Sequence, residues 1–258
     1  MKLSIVVPAF NEEARIGAML EAYLPYFAAR YGSDFELIVS INGSTDGTEA
    51  VVRALQPRFP QLRAIVEPRP IGKGGAVMAA GAMARGEFIG FVDADGATPP
   101  PAFDDLLANI GDAGLVIASR RLPGAVVRPR QPWQRRFASR TFNWLVRRFF
   151  KLRITDTQCG AKLMTAAAWR AIVPHIGLTK WAFDVDMLFK TRRAGYAIKE
   201  IPTTWSDVGG SKLKIGRASL QMFLAICRLR LLYSRFRWIV VLYDRVLGRV
   251  IDLDALES

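Results

Sequence analysis

Short apolar runs alternate with helical patterns along the first 120 residues of the chain. The apolar runs cover residues 3–7, 35–40, 62–66, 88–92 and 115–118, and they are apolar on both faces. Runs of this kind indicate parallel strands buried beneath helices on each side. Helical patterns lie between them, near residues 12–29, 46–55, 73–85 and 99–109. The alternation predicts an α/β fold with a doubly wound, mostly parallel sheet.

Ligands of such sheets bind beyond the carboxyl ends of the strands, which makes residues 8–12, 41–46, 68–74 and 93–98 candidates. Asp93 and Asp95 stand out because two carboxylates follow directly after a buried strand. A pair of this kind, with its other positions open to water and phosphate, suits Mg²⁺ or Mn²⁺. The alternative is a turn in which one aspartate caps the next helix.

The pattern of residues 133–152 predicts a basic amphipathic helix. Arg136, Arg140, Arg147 and Lys151 lie within about 60° of arc at 100° per residue, opposite Ala138, Phe142, Leu145, Phe149 and Leu152. Such a helix either packs on the sheet or lies in a membrane interface, with its aromatic residues near the headgroups. Residues 220–243 repeat this chemistry. Residues 123–132, with three prolines, predict a mobile loop.

The net charge of +13 is unevenly distributed. Residues 113–155 hold eleven basic residues and no acidic one, and residues 208–243 hold seven basic and none acidic. The rest of the chain has 18 basic and 23 acidic residues and is mildly acidic. Basic segments of this kind suit nucleic acid, an anionic membrane, a phosphorylated substrate or a solvated face.

Cysteine usage and hydropathy indicate the compartment. Cys159 and Cys227 have no metal-site or disulfide-framework spacing, which fits a reducing cytosolic setting. No secretion signal is visible, and the longest apolar stretches fall short of the roughly 18 residues that span a bilayer. Any membrane contact is therefore expected to be peripheral, on the cytoplasmic face. The single histidine, His175, is expected to be structural.

Seven motifs occur in an order that resembles a known family. Those of residues 5–12, 42–48, 72–76 and 93–98 resemble the family 2 glycosyltransferases of the GT-A fold. Those of residues 156–162, 181–186 and 210–213 resemble the dolichyl-phosphate β-glucosyltransferases and their polyprenyl-phosphate relatives. The resemblance runs over about residues 3–235. It implies a GT-A domain (1–235) with a nucleotide-sugar half (1–120) and an acceptor half (121–215), followed by basic amphipathic helices in the membrane interface (216–258).

The resemblance implies transfer of a sugar, with inversion, to the phosphate of a polyprenyl or dolichyl lipid on an anionic membrane. The relatives that the chain resembles most indicate glucose from UDP-glucose as the donor. Ile41 and Asn42 replace two aspartates common in the family, which leaves UDP and GDP both open. Ala97 stands where mannosyl relatives offer an amide, which favours glucose. Alternatives are a polyprenyl-phosphate mannosyltransferase using GDP-mannose, a family 2 transferase with another acceptor, and a basic nucleic-acid-binding protein. Apolar faces opposite the arginines argue against nucleic acid.

The resemblance also implies roles for individual residues. The nucleotide-sugar set is Pro8, Ala9, Asn11, Glu12, Asn42, Lys73, Asp93, Ala94 and Asp95, with Asp93 and Asp95 holding the metal. The acceptor-phosphate set is Arg120, Arg135, Ser139 and Lys212, and the catalytic set is Asp95, Asp156 and Asp184. The alternatives are a first-turn helix carboxylate for Glu12, an ion-pair partner for Asp156 and solvated charges for the basic residues. Asp46 is expected to cap a helix, and Asp186 has no assigned role.

Overall fold

The computed structural model describes residues 1–129, 133–177, 182–206 and 215–246, with the side chains of 133–138, 215–220, 241 and 243–246 outside the description. The strands are β1 (Leu3–Ala9), β2 (Phe35–Asn42), β3 (Leu62–Glu67), β4 (Phe88–Phe91), β5 (Leu115–Ser119), β6 (Val126–Arg128), β7 (Lys162–Thr165), β8 (Ile198–Pro202) and β9 (Thr204–Ser206). The helices are α1 (Glu13–Tyr31), α2 (Thr48–Leu55), α3 (Gly72–Ala82), α4 (Pro100–Ala108), α5 (Trp133–Phe150), α6 (Ala166–Ile172), α7 (Phe183–Arg193), α8 (Ile215–Leu232) and α9 (Arg237–Val246).

Seven strands form the main sheet, in the order β3-β2-β1-β4-β7-β5-β8. Their neighbours are parallel, except that β7 runs antiparallel to both β4 and β5. The mostly parallel α/β sheet is thus confirmed. Lys162, the first residue of β7, lies opposite Phe91 and Ile117. The loop before β7 therefore meets the carboxyl ends of β1, β2, β4 and β5 at one edge of the sheet, here called the carboxyl edge.

Two layers of helices bury the two faces of the sheet. Successive strand residues point to opposite faces, so Ile5 and Val7 pack with α1, α2 and α4, whereas Val6 packs with α3, α5, α6, α7 and α8. Because both faces are covered, the strands are apolar throughout rather than alternating. The layers leave only the sheet's edges for polar chemistry.

Residues 126–128 correct the expectation of a mobile loop over 123–132. They form β6, which pairs in parallel with β9 in a separate two-stranded sheet. Backbone hydrogen bonds to β9 hold this segment in spite of the neighbouring prolines. The prediction was wrong because local composition does not reveal pairing with a distant strand.

The helix predicted over residues 133–152 is present as α5, and its apolar face is buried in the protein. Phe142, Val146 and Phe150 lie in the core beneath α8. Of the two interpretations of this helix, packing on the sheet is therefore correct for the apolar face. On α8 and α9, Phe223, Leu224, Trp238, Ile239 and Leu242 remain exposed. Within the described ranges, no helix combines the length and the apolar character that crossing a bilayer requires.

Candidate active site

Asp93 and Asp95 follow β4 at the carboxyl edge, where the chain leaves the buried sheet. Lys73, in the first turn of α3, places its Nζ 2.6 Å from Asp93 Oδ1 and 5.5 Å from the centre of the Phe91 ring. Burial opposes the charge on Asp93, but Lys73, Lys162 and Arg120 together hold the pKa of that carboxyl below its ordinary value. The Asp93 charge is therefore fixed by three cations.

Asp95 has a different environment from Asp93. Its Oδ1 accepts a hydrogen bond from the backbone N–H of Ala97 at 2.9 Å, in a turn that precedes α4. Burial, and then the adjacent charge of Asp93, raise the pKa of Asp95 above its ordinary value. Two carboxylates that repel each other in a partly buried site are stabilised by a shared cation.

Gly160 permits the close approach of the loop before β7 to Asp93. A Cβ built on Gly160 would overlap the Asp93 carboxylate. The position therefore has no room for a side chain while Asp93 keeps its place. This close approach explains why the 156–162 motif has glycine at position 160.

Lys162 and Asp184 form a buried ion pair beneath the carboxyl edge. Lys162 is 1% exposed, and its Nζ donates to Asp184 Oδ1 at 2.5 Å and to the Cys159 carbonyl at 2.6 Å. The same Nζ lies 5.3 Å from the centre of the Phe91 ring, so two ammonium groups approach one aromatic ring. Asp184 also helps to raise the pKa of Lys73, against the effect of burial.

Asp186 points away from Asp184, as expected from helical spacing. It accepts a hydrogen bond from the Tyr233 hydroxyl at 2.5 Å and lies 3.5 Å from Lys190 Nζ. Asp186 therefore ties α7 to the end of α8. Its contacts are structural.

The first loop of the carboxyl edge is held by polar contacts between β1 and β2. Asn11 adopts φ 53°, and its Oδ1 accepts from the Thr45 backbone N–H at 2.8 Å. Asn42 is 3% exposed and donates to the Ala9 carbonyl at 3.1 Å. Asp46 precedes the N-cap residue Gly47 and accepts from the backbone N–H groups of Thr48 and Glu13, the first residues of α2 and α1, at 3.0 and 3.1 Å. These contacts shape the loop from behind.

Glu12 immediately precedes α1 and pairs with Arg15. Arg15 Nε and Nη2 each lie 2.7 Å from one oxygen of the Glu12 carboxylate. Burial, and repulsion from Asp95 and Asp93, outweigh Arg15 and raise the pKa of Glu12. The Glu12 carboxylate therefore interacts electrostatically with Asp93 and Asp95. Of the smaller residues assigned to the nucleotide, Ala9 and Ala94 are buried, and Pro8 lies within β1.

Arg120, directly after β5, is held in place by contacts with Asp156 and Trp205. Its Nε and Nη2 donate to Asp156 Oδ2 and Oδ1 at 2.8 and 2.9 Å, and its backbone N–H donates to Asp156 Oδ2 at 3.1 Å. The guanidinium carbon lies 5.3 Å from the centre of the Trp205 ring. A guanidinium has five N–H donors, so donors remain for an anion. Asp156 is 0% exposed, and burial is outweighed by Arg120, which lowers its pKa.

Glu200, on β8, fixes the segment that carries Asp156. Its carboxylate accepts from the Thr155 backbone N–H at 2.9 Å, from the Thr155 hydroxyl at 2.7 Å and from the Asp156 backbone N–H at 3.1 Å. The ion-pair alternative for Asp156 is thus what the contacts show. A direct contact between Asp156 and a donor sugar stays a prediction.

A cavity of about 1170 Å³ opens beside Arg120 and extends along α5. Within the described part of the chain, five arginines and no carboxylate line it, among them Arg120, Arg121 and Arg140. Arg121 Nη2 donates to Ser139 Oγ at 2.6 Å. Burial, and repulsion from Arg120 and Arg140, lower the pKa of Arg121. Crowded cations in a cavity without carboxylates favour an anionic ligand.

The residues at the carboxyl edge fit a divalent cation. Asp93 and Asp95 supply hard oxygen ligands, and Mg²⁺ or Mn²⁺ commonly takes only one or two carboxylates together with phosphate and water oxygens. Among the residues described, no group of three or more His, Cys, Asp or Glu side chains forms a fuller metal site. The donor set therefore suits a metal shared with a phosphorylated ligand rather than an all-protein cage.

The structure brings together most of the residues predicted from sequence. Lys73 and Lys162 both approach Phe91, where they pair with Asp93 and Asp184, and Arg120 meets Asp156. Arg135 lies in the first turn of α5 with its side chain outside the described part, and Lys212 lies outside the described residues. Sequence reasoning missed Arg121, Gly160, Lys162, Glu200 and Trp205. Gly160 and Lys162 stand within the 156–162 motif, which was a usable signal.

The sheet and its acid pair define a glycosyltransferase of the GT-A fold. The glucosyl-3-phosphoglycerate synthase of Mycobacterium tuberculosis, solved with Mn²⁺, UDP and phosphoglyceric acid, matches with a TM-score of 0.67. The match covers 89% of this chain and 78% of that one at 21% identity, which establishes the fold alone.

The chain belongs to glycosyl transferase family 2, whose family model matches residues 4–171. It is 34% identical over 248 residues to a dolichyl-phosphate beta-glucosyltransferase of Trichomonas vaginalis, covering 92% of this chain and 73% of the relative. It is 32% identical over 248 residues to the dolichyl-phosphate beta-glucosyltransferase of Dictyostelium discoideum, covering 92% of this chain and 76% of the relative. The expected family is thereby confirmed.

Proposed function

We propose that this enzyme transfers glucose from UDP-glucose, with inversion, to the phosphate of a polyprenyl lipid at a membrane surface. The observation that carries the proposal is the placement of an acidic and a basic site side by side at the carboxyl edge. Asp93 and Asp95 lie at the end of β4, and Arg120 lies at the end of β5. The relatives named as dolichyl-phosphate glucosyltransferases support this choice of donor and acceptor.

Asp93 and Asp95 would hold Mg²⁺ or Mn²⁺, which supplies positive charge for the leaving diphosphate when bound. Asn11, Asn42 and Glu12 support the nucleotide from the first loop, with Pro8, Ala9 and Ala94 forming its walls. Lys73 offers an ammonium to the diphosphate from the first turn of α3. Asp184 lies beneath the sugar, fixed by Lys162.

The acceptor phosphate binds in the basic cavity, against Arg120, Arg121 and Ser139, with Arg135 and Lys212 contributing from α5 and from the segment after β9. A phosphomonoester is largely ionised at neutral pH, because its second pKa is near about 6. Its oxygen bonds to the anomeric carbon while the bond to the diphosphate oxygen breaks, which releases UDP and inverts the centre. The arginines orient the phosphate, and a strong general base is unnecessary.

The proposal divides the chain into three parts. Residues 1–120 bind the nucleotide-sugar, residues 121–215 bind the acceptor and orient the sugar, and residues 216–258 meet the membrane. The free thiols of Cys159 and Cys227 fit the reducing cytoplasmic side. The enzyme would act there as a peripheral protein, with the exposed apolar residues of α8 and α9 toward the lipid.

The test is to incubate the protein with Mg²⁺ or Mn²⁺, polyprenyl phosphate and labelled UDP-glucose, and to extract the lipid. We expect label in the organic phase, its loss with Asp95→Ala, and its retention with Asp105→Ala, an exposed aspartate on α4. Label from GDP-mannose instead would identify a mannosyltransferase. Extraction of no label with any nucleotide-sugar would overturn the lipid acceptor.

A further inference from the structure

The outward face of α5 combines four cations with an exposed tryptophan. Arg140, Trp144, Arg147, Arg148 and Lys151 lie within about 100° of arc at 100° per residue. All five are exposed, and Trp144 is 63% exposed. We call these five residues the outer basic face. Since the opposite face of α5 packs in the core, this face is the one that α5 presents to a partner.

The outer basic face extends beyond the reach of the acceptor phosphate. Arg147 lies eight residues after Ser139, or about 12 Å along a helix that rises 1.5 Å per residue. Arg147 and Arg148 line the same cavity as Ser139, but one phosphate held by Arg121 and Ser139, with a charge of at most about −2, cannot also neutralise the four cations of this face. A second cavity of about 320 Å³ shares those two arginines and is lined further by Lys151, Leu152 and Arg153.

Among the residues that the structure describes, the charge of this face has no carboxylate partner. No described carboxylate lies within ion-pair distance of Arg140, Arg147, Arg148 or Lys151. The Trp144 indole lies among these cations with 63% of its surface exposed, so the fold buries little of it. An indole with an apolar body and a polar N–H is suited to the headgroup level of a bilayer.

We propose that the outer basic face binds the phosphates of anionic phospholipids, with Trp144 at headgroup level. This inference rests on the proposed function: binding by the outer basic face would orient the basic cavity toward the membrane that contains the acceptor lipid. Lipid suits the surface better than nucleic acid, because α8, which packs against α5, exposes Phe223 and Leu224. Apolar side chains beside arginines match acyl chains below phosphates.

The experiment is flotation of the full chain with vesicles of phosphatidylcholine alone or mixed equally with phosphatidylglycerol, at physiological salt. The variant Arg147→Gln/Arg148→Gln should bind the anionic vesicles roughly 30-fold more weakly than the parent, as two surface arginines near an anionic membrane imply. Arg53→Gln/Arg58→Gln removes the same charge from the opposite layer, where both arginines pair with surface glutamates. This control should bind like the parent. Trp144→Ala should also weaken binding.

Equal binding of the parent and the Arg147/Arg148 variant would overturn the proposal. So would an equal loss in the control, or retention of the parent by an oligonucleotide with no binding to anionic vesicles. Glucosyl transfer by the parent in detergent is measured separately. If transfer fails while flotation depends on Arg147 and Arg148, the proposed function is overturned and the lipid-binding site is supported. If transfer succeeds while flotation does not depend on these two arginines, only the lipid-binding site is overturned.

Discussion

Arg120 and Asp156 form a bidentate ion pair in which the carboxylate is fully buried and the guanidinium faces the basic cavity. The pair joins the end of β5 to the loop before β7. Because both carboxylate oxygens are engaged, Asp156 acts through Arg120. The arrangement holds a guanidinium at the basic cavity, the proposed acceptor site, before any ligand arrives.

Replacing Asp156 with Asn should impair acceptor use selectively. The neutral amide cannot hold the Arg120 fork, and misplacement of a substrate-positioning group can cost about 100-fold in rate. We expect kcat/KM for polyprenyl phosphate to fall by about that factor, with the KM for UDP-glucose nearly unchanged. Steady-state kinetics with each substrate varied would show this, with the exposed Asp112→Asn as control. A raised KM for UDP-glucose would instead place Asp156 on the sugar.

The same variant should reveal a pH-dependent contribution to stability. The folded-state pKa of Asp156 lies below its unfolded value, because Arg120 outweighs the effect of burial. Such a group stabilises the fold above its unfolded pKa and loses this contribution as pH falls through the folded one. Asp156→Asn should cost about 3 kcal/mol of unfolding free energy at pH 7, the range for breaking a buried pair.

That difference should shrink below about pH 4, where unfolded aspartate begins to protonate. Urea unfolding of the parent and Asp156→Asn at neutral and acidic pH measures it. A difference that stays constant down to pH 3 would mean that the ion pair does not carry the stability.

Replacing Lys73 with Met should change how the protein binds a metal. The Lys73 ammonium lies 2.6 Å from Asp93 Oδ1. It would compete with a metal ion for this carboxylate, because like charges repel across a few ångströms. We expect Mn²⁺ to bind the nucleotide-free variant roughly 10-fold more tightly, because the competing cation is gone. UDP should bind more weakly, because it loses an ammonium partner. Electron paramagnetic resonance of free Mn²⁺ and calorimetry with UDP measure the two effects.

Arg69→Met is the matched control for Lys73→Met. Arg69 lies on the same connection between β3 and α3 and pairs with Glu67 at the surface. The substitution removes one charge without touching Asp93. If both variants tighten Mn²⁺ binding equally, the effect is one of net charge, and the Lys73–Asp93 contact has no special part in it.

A methyl group at position 160 should disable the site with little effect on the fold. The Cβ of Gly160→Ala would occupy the space of the Asp93 carboxylate and force that side chain to move. We expect Mn²⁺ affinity and transfer to fall by at least about 10-fold, as displacement of a positioned group by about 1 Å implies. Gly177→Ala, where a Cβ meets nothing within 4 Å, serves as control. Normal Mn²⁺ binding by Gly160→Ala would show that Asp93 is not a ligand.

The fold followed from the sequence wherever the information was local. The first five strands begin at or within a residue of their predicted positions, because parallel strands covered on both faces are continuous apolar runs. The antiparallel direction of β7 was not predictable, because it depends on pairing with β4 and β5. The same holds for β6, which is fixed by a partner 78 residues later in the chain.

The candidate site followed from motifs, and its internal contacts did not. Asp93 and Asp95 could be placed at the carboxyl edge because they directly follow a strand. The pairing of Lys162 with Asp184 required β7 and α7 to be in place, since nothing in the spacing of 22 residues implies a contact. Burial of the apolar face of α5 also depended on α8, and amphipathic periodicity alone does not say whether that face meets protein or lipid.

The antiparallel strand β7 separates the strand that leads to the acid pair from the strand that leads to the basic cavity. It lies between β4 and β5, so the strands that deliver Asp93 and Arg120 are two inter-strand distances apart, or about 10 Å. In an in-line displacement only the anomeric carbon lies between the leaving and the attacking oxygen, and the order of the sheet keeps the groups that would position these two oxygens on separate strands. The separation between the ends of these two strands is thus set by backbone hydrogen bonding, which side-chain changes at the carboxyl edge can adjust but cannot abolish.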